Sequence, residues 1–114
     1  MIYLLPVILA CTLLYALPAS ADCITDQYGN VLCGEGQCVT NLYGKVYCAE
    51  IGGGAIKDSY GEVQCGVGYC AKDNLGNVWC SKVQGGGAAV DSNGTVKCLR
   101  GCEIASPKLC VEGF

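Results

Sequence analysis

From residue 23 onward, short apolar runs such as VLC (31–33), VYC (46–48) and VWC (78–80) are broken by polar stretches rich in Asp, Asn and Gly. Short runs rich in valine and bounded by such residues predict strands, and the polar breaks predict turns. Five stretches share one phrase: CITDQYGNVLC (23–33), CVTNLYGKVYC (38–48), AIKDSYGEVQC (55–65), CAKDNLGNVWC (70–80) and AAVDSNGTVKC (88–98). The common form is Cys or Ala, two residues, Asp or Asn, two residues, Gly, any residue, Val, any residue, Cys. Internal repetition of this kind takes precedence over local propensity.

Each position of the phrase has a physical task. Asp26, Asn41, Asp58, Asp73 and Asp91 supply a short acceptor that bonds back to the turn amides. Gly29, Gly44, Gly61, Gly76 and Gly94 follow three residues later, where a type I turn needs a left-handed residue. The β-branched Val31, Val46, Val63, Val78 and Val96 favour the returning strand. The predicted unit is a hairpin with a three-residue loop and a glycine bulge. The turn sets the register: Cys70 faces Cys80, Ala71 faces Trp79 and Lys72 faces Val78, which places Val78 and both cysteines on one face. By the same count Cys23 faces Cys33 and Cys38 faces Cys48, while Ala55 and Ala88 stand opposite Cys65 and Cys98.

The phrases pair off. Short joints, GEGQ (34–37) and GVGY (66–69), lie within a pair, and longer ones ending in three glycines, AEIGGG (49–54) and SKVQGGG (81–87), lie between pairs. The repeat units are therefore 23–48, 55–80 and 88–110, at a period of 32 or 33 residues. The last unit ends in CEIASPKLC (102–110), without the Asp-x-x-Gly turn and with Pro107. Such degeneracy predicts a terminal cap. Helix-like spacing is absent and 17 glycines are present, so no helix of any length is expected. The predicted class is all-β: a small, disulfide-rich, secreted protein built of tandem two-hairpin repeats. A rod-like stack and a compact globule both fit the pattern.

Secretion is inferred from the first 21 residues. Residues 2–17 are nearly all apolar and Ala19-Ser20-Ala21 matches the small-x-small pattern of a cleaved signal peptide. The apolar run is short for a membrane span. Cleavage before Asp22 leaves a cysteine-rich repeat domain of residues 22–114 and no expected membrane association. Of 11 cysteines, Cys11 falls in the signal; Cys23, Cys33, Cys38, Cys48, Cys65, Cys70, Cys80, Cys98, Cys102 and Cys110 remain. An even number at this density in an exported chain is read as a disulfide framework rather than as zinc ligation. One connectivity closes hairpins across their strands, Cys23–Cys33, Cys38–Cys48 and Cys70–Cys80, leaving Cys65–Cys98 and Cys102–Cys110. Another pairs cysteines across the joints, such as Cys33–Cys38 and Cys65–Cys70. The first is the working scheme. With so small a core, the fold is expected to depend on these bonds.

Composition narrows the chemistry. The chain has no histidine, which removes the usual general base and the usual zinc ligand. The turn acids are explained by the turns, so no catalytic residue, cofactor or metal site is expected. The glycine-rich runs 52–58 and 85–91 lack the Gly-x-Asp rhythm of calcium repeats. Net charge is −3 with no basic stripe, which disfavours nucleic acid.

A candidate binding surface remains. Tyr28, Tyr43 and Tyr60 fall at hairpin tips, and Tyr47 and Trp79 point away from the cysteine face. Repeated rings suit an extracellular protein or glycan partner, or self-association; the competing reading packs them between repeats. Asn93-Gly94-Thr95 is an N-glycosylation sequon at a predicted tip. The expected function is a non-enzymatic, secreted binding or extracellular structural role. The alternatives are a protease inhibitor displaying Lys72, or a toxin or defence effector.

Overall fold

The computed structural model describes residues 22–114. The predicted signal peptide, residues 1–21, lies outside the described residues. The five phrases form five antiparallel hairpins. The first joins β1 (Asp22–Thr25) to β2 (Val31–Gly34), the second β3 (Cys38–Thr40) to β4 (Val46–Cys48), and the third β5 (Ala55–Lys57) to β6 (Val63–Cys65). The fourth joins β7 (Cys70–Lys72) to β8 (Val78–Ser81), and the fifth β9 (Ala88–Val90) to β10 (Val96–Cys98). The register is the one the turn dictates: Cys70 faces Cys80, Ala71 faces Trp79, Lys72 faces Val78, and Ala55 and Ala88 face Cys65 and Cys98.

The turns explain why register is so uniform. In the first, the Asp26 carboxylate accepts from the amides of Tyr28 and Asn30, both at 2.9 Å. Asn41, Asp58, Asp73 and Asp91 repeat this pair of bonds. The loop glycines adopt φ between 81° and 89°, a region in which a Cβ is strained.

The hairpins stack face to face. Val46 with Cys38 and Cys48 packs on Ile24 and Leu32 of the preceding hairpin. Val63, Ala55 and Cys65 pack on Val39 and Tyr47, and Val78 and Cys80 on Ile56. A two-stranded sheet has no interior, so each hairpin buries its cysteine face on the outer face of its predecessor. Val31, on the first hairpin, has no predecessor and is 63% exposed, whereas Val46 is 1% exposed. The joints make a second row of contacts at the period read from the sequence: Gly36 N donates to Ala49 O, and Gly68 N to Ser81 O, 32 positions on. Gly34 and Gly66 are required for close approach, since a Cβ at either would collide with Cys48 or Cys80 of the next hairpin.

The C-terminal segment departs from expectation. Unit 88–110 contains one hairpin, not two, and CEIASPKLC does not cap the end of the stack. It turns and runs back along the first four hairpins as a strap. Strand β11 (Cys102–Ile104) pairs with β8, Ser106 bridges to Cys65 of β6, a 3-10 turn follows (Pro107–Leu109), and β12 (Val111–Glu112) pairs with β4. The chain finishes with Phe114 exchanging both backbone bonds with Cys33 of β2, at 2.7 and 2.8 Å. The returning strands thus gain edge partners that short hairpins otherwise lack.

The strap also decides the disulfides. Cys23–Cys33, Cys38–Cys48 and Cys70–Cys80 close hairpins as expected. The expected Cys65–Cys98 and Cys102–Cys110 do not form; the remaining bonds are Cys65–Cys110 and Cys98–Cys102. The reversed strap carries Cys110 back to the third hairpin, and Cys98 meets Cys102 across the turn that starts it. Ala55 and Ala88 leave room opposite the two hairpin cysteines that bond elsewhere.

Two stability comparisons follow. In the chain-entropy account, Cys65–Cys110, at separation 45, contributes about 4 kcal/mol and Cys98–Cys102, at separation 4, about 2 kcal/mol. The double variant C65A/C110A is therefore expected to lose more stability in urea unfolding than C98A/C102A. Val46→Ala is expected to cost about 1–2 kcal/mol and Val31→Ala almost nothing, although the two hold the same place in the repeat.

Candidate functional site

Because the hairpins stack in one orientation, their turns form a single ridge. The contacts are direct: Leu42 N donates to Gly61 O at 2.8 Å, Asn74 N donates to Gly94 O at 3.0 Å, and Gly44 and Gly76 lie against Gln27 and Ser59. The side chain before each loop glycine is thrown outward. Tyr28, Tyr43, Tyr60 and Leu75 are 79%, 76%, 88% and 80% exposed. Leu42 is also exposed. The fifth turn ends the apolar series with Asn93, which is exposed and donates its amide to Asp91 Oδ1 at 2.9 Å. The ridge is therefore aromatic over three tips, aliphatic at the fourth and polar at the fifth, where the sequon lies.

Beneath the ridge, on the strap side, four equivalent clefts separate successive hairpins. Each is lined by the turn acid or amide and the penultimate residue of one hairpin, the valine of the next, and part of the strap. The first cleft, about 360 Å³, has Tyr28 and Tyr43 at its mouth, Leu32 and Val46 in its wall, and Glu112 and Gly113 from the strap. The second, between Tyr47 and Val63, measures about 240 Å³, and the third, between Gln64 and Val78, about 210 Å³. The fourth lies between Trp79 and Val96, includes Cys102 and measures about 360 Å³.

The five residues read from the sequence as a binding surface thus divide. Tyr28, Tyr43 and Tyr60 stand free on the ridge. Tyr47 and Trp79 are half-buried between hairpins, where Tyr47 packs against the third hairpin and both line clefts. The Trp79 indole is also fixed by its polar edge, Nε1 donating to Asp73 Oδ2 at 3.0 Å. Gln64 does the same for Asp58 Oδ2 at 2.9 Å. The strap residues Glu112, Gly113, Pro107 and Ala105 were not legible as cleft residues, since nothing in their local pattern signals a reversed path. Glu112 ties the strap to the second hairpin through Lys45 at 2.7 Å. That ion pair raises the Lys45 pKa.

The turn carboxylates are tuned by the same bonds. The Thr95 amide holds the Asp91 carboxyl below its ordinary value. Partial burial pushes Asp73 up, but the bonds from the Trp79 indole and the Asn77 and Leu75 amides outweigh it, so its pKa is lowered. Asp58 is lowered likewise, with Gln64 and the Glu62 and Tyr60 amides outweighing burial. All ten cysteines of the described residues are taken up in disulfides. No protein-family model matches the chain, and comparison with curated proteins and with solved structures found no match.

The lowered carboxylates fix the direction of the acid response. Their stabilising contribution is fully present above the unfolded carboxylate value of 3.8 and is lost as pH falls through the lower folded values. The melting temperature is therefore expected to hold from pH 7 to about 5 and to fall below about 4. Asp91→Asn keeps both amide bonds, as Asn41 does naturally, and is expected to make the acid limb shallower. Asp73→Asn additionally loses the acceptor for the Trp79 indole and is expected to lower the melting temperature at pH 7 as well. Thermal melts across that pH range check both.

Proposed function

We propose that the protein is a secreted, non-enzymatic binding module whose partner is an extracellular protein or glycan engaged by the aromatic ridge. The observation that carries this reading is the continuous row of Tyr28, Tyr43, Tyr60 and Leu75, each more than three-quarters exposed on a disulfide-held scaffold. Contiguous apolar exposure on this scale marks an interaction site. Tyrosines held on rigid turns present area and a hydroxyl at little entropic cost. The clefts beneath give an approaching chain or ring a place to insert. The inhibitor alternative draws less support: Lys72 lies within β7, and its ammonium donates to the Lys57 carbonyl at 3.4 Å rather than projecting from a tip.

A structural role has one observation in its favour. The cysteine face of the first hairpin is uncovered, with Val31 and Cys23 exposed, and inside the stack the same face is always packed. End-to-end association of copies would cover it.

The triple variant Y28S/Y43S/Y60S is expected to retain the β-sheet circular dichroism of the parent and to lose about a hundredfold in affinity for partners captured from extracellular fluid or on a glycan array. Undiminished capture by the folded variant overturns the ridge reading. Sedimentation of the parent against Val31→Lys tests assembly: a concentration-dependent oligomer abolished by the lysine supports the structural role, and a monomer in both supports the soluble module.

A further inference from the structure

The geometry points to Cys98–Cys102 as an exchangeable disulfide, attacked at Cys102 by a low-molecular-weight thiol entering the fourth cleft, with Cys98 leaving. The balance is that of simple exchange. The incoming thiolate forms a bond to Cys102 Sγ, the Cys98–Cys102 bond breaks, and its electron pair departs on Cys98 as thiolate, with no net oxidation.

Three features together mark this bond. It closes the shortest loop of the five, with separation 4 against 10 for the hairpin bonds and 45 for Cys65–Cys110. It therefore restricts the opened chain least. The turn it closes, with Gly101 N donating to Cys98 O at 3.1 Å, holds Arg100 at φ 62°, the one positive φ outside glycine among the described residues. A left-handed arginine is strained, and opening the ring releases it. Cys98 and Cys102 are both partly exposed and Cys102 lines the fourth cleft, whereas Cys38–Cys48, Cys65–Cys110 and Cys70–Cys80 each include a buried cysteine; Cys23–Cys33 is accessible too, but it closes a longer loop with no left-handed residue other than glycine.

Charge gives the direction of attack. Lys97 precedes Cys98, Arg100 follows it by two residues, and Lys82 Nζ lies beside Gly101. This basic setting favours thiolate at Cys98 as the departing sulfur. Cys102 is followed by Glu103, which disfavours the opposite polarity. Exchange leaves the stack in place, because Cys65–Cys110 still ties the strap to the third hairpin and the strap keeps its edge bonds to β8, β6 and β4. The site thus offers a thiol-responsive handle at the polar end of the ridge, independent of what the ridge binds.

The test treats the mature, fully oxidised chain with reduced glutathione, quenches in acid at intervals, alkylates free thiols and maps peptides by mass. Glutathione is expected on Cys102 and a free thiol at Cys98, forming at least about tenfold faster than any other adduct, with circular dichroism unchanged. Arg100→Asn, which suits the left-handed turn and removes the charge, is expected to slow that adduct by about tenfold. A first adduct at Cys23 or Cys33, an adduct on Cys98 in place of Cys102, reduction of all five bonds together, or an unchanged rate in Arg100→Asn overturns the assignment.

Discussion

A two-stranded hairpin has two faces and no inside, and the rest of this structure answers that constraint. Each hairpin covers its own cysteine face with the outer face of the one before. This is why the valine is buried in four copies and exposed in the first. It also explains the choice of residues at the stacking surface. Ala, Val and half-cystine are small enough to let thin sheets approach closely, and glycine at 34 and 66 removes the last Cβ that would collide with a neighbouring disulfide.

Stacking alone leaves every hairpin with open edges, and the strap closes one side of them. It is a strand-addition partner supplied by the same chain, bonded in turn to β8, β6, β4 and β2. The disulfides divide their labour accordingly. Three reinforce hairpins whose turns already set the register. The fourth, Cys65–Cys110, joins segments far apart in the chain and fixes the strap near the middle of the stack. The fifth closes the turn that reverses the chain, and it does so with an arginine where glycine would be unstrained.

The same stacking creates the surface. A turn built from a short acceptor and a left-handed glycine projects the intervening side chain to solvent, and a common orientation aligns those side chains into a ridge. The ridge and clefts are consequences of repetition and do not depend on any single residue. Variation among the tips, from tyrosine through leucine to asparagine, gives the row a polarity.

The hairpins, their register, the half-cystine pairs at separation 10 and the tyrosine tips were legible because each depends on residues within one phrase of 11, where Asp-x-x-Gly fixes the turn and the turn fixes everything opposite. The division of Tyr47 and Trp79 from the other rings was not, since a side chain pointing away from one hairpin points at the next only if the hairpins stack. Nor was the path of residues 98–114, whose backbone partners lie up to 81 positions away, as in the Cys33–Phe114 pair. The local sequence determined the repeating element. Only the tertiary structure decided the direction of the strap and hence the pairing of Cys65, Cys98, Cys102 and Cys110, because edge hydrogen bonding accepts any backbone and leaves no signature in side-chain pattern.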